Sequence, residues 1–377
     1  MGLRQAFDHS EFHQRIERVQ SAMADSGLDV LLLHSPENIY YLTGYQTSGY
    51  FAYQVAFVPK DGPIRLLVRF LEHGNVGEYS WLEEADTWRE GDDLVARTCG
   101  VLRETAPGAM RIGLEKQTWF LTAAMAEAVS AAVSPAEIVD ASLLVDRVRL
   151  VKSPAEIACL RAAGRIAEIE QKVACDRIGD GVTEAEVAAA VFEAGILAGC
   201  EYTGLPHHIM SGYRYDVCHA NWTSKPIVNG EMVLLELYGC VERYHATQMR
   251  TVCLGSPTSE VRDAVDLIIA AQDAAIAALR PGASALEVDR LVREPIRSIR
   301  PDYFNRSGYS TGIGFPPRTA EWDAADFNEH VDWEVKEGMV FHMLGLAKGF
   351  GISETVAVTR DGSERLTPDN ARELFIK

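Results

Sequence analysis

The chain has 377 residues, 47% of them hydrophobic, and carries 36 Lys and Arg against 54 Asp and Glu, a formal net charge of −18. That length predicts two domains of roughly 150 to 220 residues with a sizeable buried core, and the composition excludes a disordered chain. So large a negative charge repels phosphate backbones and anionic lipid, which excludes nucleic acid and membrane surfaces as partners.

In chain order, residues 11–26 have helical period and lead into the strand-like LDVLLLH of 28–34, then NIYYLTGY and two strand candidates, YQVAFVP and IRLLVRF. A polar helix near 92–105, a short strand RIGLE and an apolar helix WFLTAAMAEAVSAAV complete a small α/β unit. It contains neither GxGxxG after a strand nor GxxxxGK[ST], so nucleotide binding has no support. The boundary falls near residue 152, where Ser153, Pro154 and Glu156 mark a helix start with a capping box. Thr183 with Glu186 and Ser284 with Glu287 repeat that signature. Between and after these helices run the strand patterns HHIMSG, EMVLLELYGCVERYHATQMRTVCLG, GYSTGIGF, GMVFHMLG and ISETVAVT. Helices set apart from mostly antiparallel strands predict an α+β domain over 153–377, preceded by the α/β unit of 1–152.

Seven cysteines, an odd number without a CxxC pair, predict reduced thiols in a cytoplasmic protein rather than a disulfide framework or zinc cluster. The opening MGLRQAFDHSEF lacks the apolar core of a leader, and no stretch approaches the ~18 apolar residues of a membrane span.

Polar residues embedded in apolar strands are the candidates for chemistry. Glu236 follows MVLL directly; it is either a solvent-facing hairpin residue or a buried acid, which is costly unless paired or useful. Glu354, in GISETVAVT, has the same two readings. His219, in DVCHANWTSKP, could transfer protons, although a lone His is more often structural. His342 in MVFHML is read first as a satisfied core residue. His207 and His208 are neighbours and cannot face the same way in a strand. The aromatic run YYLTGYQTSGYFAYQ, with Tyr50 and Phe51, reads mostly as core.

The order of these residues resembles the pita-bread-fold superfamily of methionine aminopeptidase, prolidase, aminopeptidase P and creatinase, across nearly the whole chain. The resemblance rests on the KSPAEIACLRAAGRIAE helix, His219, the run from Tyr244 to Thr251, the GIG of 312–314, GMVF at 338–341 and SETVAVTRDGSERLT. It implies a pita-bread catalytic domain over 153–377 behind a creatinase/prolidase-like domain over 1–152. Peptidases of this fold hold two metal ions with two Asp, one His and two Glu. Carried onto this chain, those positions are Glu236, Thr247, Thr311, Leu344 and Glu354, so three ligands are gone and no metal cofactor is expected. The strands LELYGCVERYH…RT, GYSTGIGFPP and GMVFHM are most similar to the metal-free ectoine hydrolase and creatinase-like members.

That resemblance implies hydrolysis of a C–N bond at an amidine or guanidine carbon in a small molecule. Glu236 is then nucleophile or general base, His219 transfers a proton, and Glu354 holds the amidinium. It implies no other cofactor. His342 is expected as a second polar contact, and Arg69, Arg250 and Arg318 are the candidates for a substrate carboxylate. A homodimer is expected, in which Tyr50 and Phe51 reach a partner's pocket. A metal-binding Xaa-Pro dipeptidase and a non-catalytic binding protein are the alternatives.

Overall fold

The computed structural model describes residues 4–217 and 219–377. Part of the chain start read above for a leader, and one of the seven cysteines, Cys218, lie outside the described residues. The chain divides into two compact units, Met1–Arg149 and Leu150–Lys377.

The first unit comprises α1 (His9–Asp25), β1 (Val30–Leu33), α2 (Pro36–Thr43), β2 (Val55–Pro59), β3 (Arg65–Arg69), α3 (His73–Tyr79), β4 (Asp86–Trp88), α4 (Leu94–Thr105), β5 (Arg111–Leu114), α5 (Ala123–Ala132), β6 (Glu137–Asp140) and α6 (Leu144–Arg149). Its strands form one mixed sheet in the order β4-β3-β2-β1-β5-β6. NIYYLTGY supplies α2: Pro36 sits in the first turn, where its missing N–H costs nothing, and Gly44 takes the left-handed C-cap with φ 70°.

The second unit comprises α7 (Pro154–Arg177), α8 (Glu184–Leu197), β7 (His208–Ser211), β8 (Met232–Val241), β9 (Tyr244–Cys253), α9 (Ser259–Ala278), α10 (Ala285–Ile299), β10 (Gly308–Ser310), β11 (Asp326–Phe327), β12 (Val340–Ala347), β13 (Phe350–Thr359), β14 (Gly362–Arg365) and β15 (Phe375–Ile376). Its nine-stranded sheet follows β11-β10-β12-β13-β9-β8-β7, with β14 on β13 and β15 on β9. The capping boxes at Ser153 and Thr183 are complete. At Ser284 the hydroxyl accepts from Glu287 N, while the Glu287 carboxylate accepts from Arg290 and the box is not completed. The start of α9 has Thr258 as a cap and Val261 three residues on, a cap without a box. Only Gly308–Ser310 of GYSTGIGF is strand.

Helices α7 and α8 cover one face of the sheet. Val187 and Val191 pack with Val233, Leu235, Leu237 and Val252, all essentially sealed from solvent. The helix comes so close that a Cβ on Gly239 would stand 1.9 Å from the Ala163 carbonyl oxygen. A side chain there would push α7 off the strands. The β8–β9 hairpin turns on Glu242 and Arg243, both with positive φ, the conformation a two-residue primed turn requires. Arg243 is held by the carbonyls of Tyr202 and Gly314, which fixes a turn made without glycine.

Candidate active site

Strand register decides which candidates meet. Glu236 pairs with His208 on β7 and Met249 on β9; Met249 pairs with Ser353 on β13, and Ser353 with Leu344 on β12. These residues form one lateral row on the face opposite α7 and α8. Because side chains alternate, Tyr238, Thr247 and His342 share that face, while Gln248, Arg250 and Glu354 point to the other. Glu236 is the only carboxylate that β7, β8, β9, β12 and β13 direct to the face of this row.

The placement of Glu354 corrects the expectation that it holds a substrate. One of its oxygens accepts from Arg250 at 2.6 Å; the other accepts from Thr367 at 2.5 Å and from Gln248 at 3.4 Å. Both members of the Glu354–Arg250 pair are buried. Arg250 also donates to the carbonyls of Met249, Ser353, Asn370 and Ala371, so no N–H remains for a substrate carboxylate and that expectation is corrected too. A one-residue offset in β13 explains the error: groups that meet at one centre must share a face, and on β13 that residue is Ser353.

The other arginine candidates already have acidic partners. Arg69 bonds Glu90 and Arg318 bonds Asp323. Within the first unit, Tyr50 stands edge-on to Phe120 at 5.6 Å and Phe51 is 78% exposed. His207 and His208 do face opposite ways. His208 comes to the Glu236 face, its ring 5.5 Å from His219 and 5.9 Å from Tyr238.

Glu236 and Leu344 keep partial exposure in mid-strand although their neighbours are sealed, so the sheet is open to solvent above them. Burial raises the Glu236 carboxyl above the ordinary carboxylate range; the charge of His219, a hydrogen bond from Tyr238 and the charge of Arg306 oppose that rise. His219 has φ 58°, a left-handed conformation that costs energy for a non-glycine residue. Burial, with His219 adding to it, lowers His208 to about 4; burial and then Arg306 lower His342 to about 3. Both are therefore neutral at pH 7. Among the described residues neither ring nitrogen of buried His342 has a hydrogen-bond partner, nor has the hydroxyl of buried Ser353. Leaving such groups unpaired costs about 1–3 kcal/mol each, and a bound ligand would satisfy them.

Arg306 escaped the sequence reading. It lies in the loop before β10, its guanidinium 4.3 Å over the Tyr309 ring and 5.8 Å from that of Trp322, with no ion-pair partner among the described residues. Its charge reaches both Glu236 and His342. Nothing local in FNRSGYS distinguishes it from a surface arginine; only the fold brings it to Glu236.

The dinuclear metal centre implied by the fold does not fit these residues. The positions are Glu236, Thr247, Thr311, Leu344 and, by register, Ser353, a set with one carboxylate. Thr311 is further committed to the His245 carbonyl at 2.8 Å. Among the described residues no group of three or more His, Cys, Asp or Glu could hold a metal ion. What the face does offer is a desolvated acid, an adjacent histidine, a free arginine and unpaired polar groups.

This arrangement fixes a pH dependence. A carboxyl serves as nucleophile or base only when ionised, so an activity that runs through Glu236 should fall in kcat/KM as pH drops through its raised pKa. The acid limb is expected above the ordinary carboxylate value of 4.5, and His342 contributes no limb near neutrality. A profile flat down to pH 4 contradicts the assignment.

Comparison with known proteins agrees with the fold. Residues 158–360 match the model of metallopeptidase family M24, and residues 15–151 that of the Creatinase/Prolidase N-terminal domain. A Sinorhizobium fredii protein named "Uncharacterized hydrolase/peptidase y4tM" is 32% identical, covering 98% of both chains. The "Ectoine hydrolase" of Halomonas elongata is 25% identical, again over 98% of both. The structure of the Xaa-Pro dipeptidase from Bacillus anthracis superposes with a TM-score of 0.83 at 23% identity, covering 97% of this chain and 100% of that one. No helix among the described residues is long and apolar enough to cross a membrane. With more than half its length under one family model and a relative 32% identical end to end, the chain belongs to the M24 family of hydrolases.

Proposed function

We propose that this protein hydrolyses, without a metal ion, a C–N bond at the amidine or guanidine carbon of a small carboxylate-bearing molecule, with the ring opening of ectoine or 5-hydroxyectoine as the specific reaction. One observation carries the reading: Glu236 is the single carboxylate that strands β7, β8, β9, β12 and β13 direct to its face, beside His219, among Thr247, Leu344 and Ser353 rather than metal-binding acids. An amidinium brings its own positive charge into the space that metal ions need carboxylates to fill. Its charge favours the ionised form of Glu236 on binding, which offsets the desolvation that otherwise opposes it.

Glu236 attacks the amidine carbon or activates water to do so. A C–O bond forms, the carbon–nitrogen π electrons move to nitrogen, and a proton from His219 lets one C–N bond break as the amine leaves. Where Glu236 is the nucleophile, the imidate left on it is hydrolysed by water, which frees the carboxylate and turns the C=N into the carbonyl of the product. Either route adds one water in total and gives an N-acyl amine from an amidine, or a urea and an amine from a guanidine. His342 and Ser353 supply polar contacts to the ring, and Glu354 acts at one remove, by holding Arg250 and the strands beneath the site.

Arg306 takes the role sought for Arg69, Arg250 and Arg318, binding the substrate carboxylate as a fork. Its replacement by Gln is expected to raise KM at least about tenfold, with a smaller effect on kcat. The penalty should vanish for a substrate whose carboxylate is converted to the amide. Equal KM values in Arg306→Gln and wild type contradict the role. The reading as a whole is tested by offering ectoine, creatine and a Xaa-Pro dipeptide side by side: ectoine turnover is expected, and dipeptide cleavage alone contradicts it.

A further inference from the structure

A second cavity lies on the other side of the catalytic strand. It has a volume of about 410 Å³, at the small end of the usual range for ligand pockets. Glu170 of α7 reaches it, with Phe192 and Ile196 of α8 and the segment containing Cys200, Tyr202 and His207.

Glu170 is sealed from solvent, and its Oε2 has no hydrogen-bond partner among the described residues. Its other oxygen lies 3.5 Å from His207 Nε2. His207 accepts the Tyr238 N–H at Nδ1, which places its own proton on Nε2, towards Glu170. Opposite stands Gly195, where a Cβ would come within 2.0 Å of the carboxylate. The helix therefore leaves this acid room that any larger residue would take away.

Among the described residues Glu170 also has no Lys or Arg partner, its one basic neighbour being His207. Glu201, the second carboxylate, is 3.4 Å from Arg243, whose guanidinium covers the Tyr202 ring at 4.0 Å. The rest of the lining is the Cys200 thiol, Thr203, whose hydroxyl donates to the Leu205 carbonyl, and aromatic or apolar groups: Phe192 is 4.6 Å from the His207 ring, and Ile196, 66% exposed, stands at the mouth. A desolvated acid among aromatic rings, in a chain of net charge −18, selects for positive charge.

We infer that this cavity is a second ligand site, for a small organic cation with a primary ammonium or amidinium head seated on Glu170. The apolar part of the ligand lies against Phe192 and Ile196. The site is independent of Glu236 and of the reaction proposed for it. Burial holds the Glu170 carboxyl well above the ordinary range, and the groups facing it are His207, Cys200 and the Glu201–Arg243 pair. None of these supplies the missing cation, so a bound cation shifts Glu170 towards its ionised form.

The test is titration of the full chain with n-butylammonium, and with 1-butanol as the neutral control, at fixed ionic strength. Calorimetry in two buffers of different ionisation enthalpy reads the proton, and Trp222, 5.3 Å from Phe192, gives a fluorescence signal. Saturable binding of the ammonium but not the alcohol is expected, with a buffer-dependent heat. Glu170→Gln, nearly isosteric, should weaken it at least about tenfold, the usual range for losing a charged hydrogen bond. The surface variant Ile196→Lys should weaken it too, by placing a cation at the mouth. Glu236→Gln should leave it unchanged. No saturable binding to wild type, equal binding to Glu170→Gln, or loss in Glu236→Gln alone would each overturn the inference.

Discussion

Glu236→Gln is expected to lower kcat by at least about 10³-fold, the scale on which removing a nucleophile or its activating base acts. The same change should stabilise the protein. A carboxyl whose folded pKa is raised binds its proton more tightly in the folded state, so folding loses stability as pH rises above the unfolded value. Above that unfolded value the raised carboxyl is then a net cost, and an uncharged isostere removes it. A rise in Tm of about 2–4 °C per kcal/mol relieved is the expected scale for a unit of this size. An active site held in place at the expense of stability gives both signs together. A variant that is inactive and less stable would mean that Glu236 is structural.

The second large effect runs the other way. Glu354→Ala strips the carboxylate from Arg250, with Arg372 and Arg365 also within 4 Å of it, and leaves a buried cation unpaired. Breaking a buried pair from one side costs about 3–5 kcal/mol, which corresponds to a fall in Tm of about 10 °C. Glu354→Gln keeps the shape and a hydrogen bond to Thr367, so it should lose less. Activity in either variant should fall only as far as folding does. If Glu354 held substrate instead, kcat/KM would collapse at unchanged Tm.

These two residues mark how far the sequence could be read. Glu236 and Glu354 look alike locally, each an acid in an apolar strand; they differ only in which face they join, and register settles that through Met249 and Ser353. A shift of one residue exchanges a site residue for a structural one. The helix starts at Ser153 and Thr183 were legible because a capping box is a local device. So was the hairpin of 231–255, apart from its glycine-free turn. Arg306 was not legible, because its importance comes from the path of a loop that carries it over Tyr309 towards Glu236. His208 was half legible: alternation said that it and His207 must part, but only pairing with Glu236 said which one faces the site. The lost metal ligands at Thr247, Thr311 and Leu344 were visible as substitutions, and register adds Ser353 to them.

The most direct measurement is NMR-monitored hydrolysis of ectoine by chelator-treated protein, before and after adding Mn²⁺ or Zn²⁺. Ring opening to an N-acetylated diaminobutyrate at the same rate in both cases is the predicted result. Silence on ectoine, with cleavage of a Xaa-Pro dipeptide appearing only when metal is restored, would contradict the account of this face at its centre, Glu236.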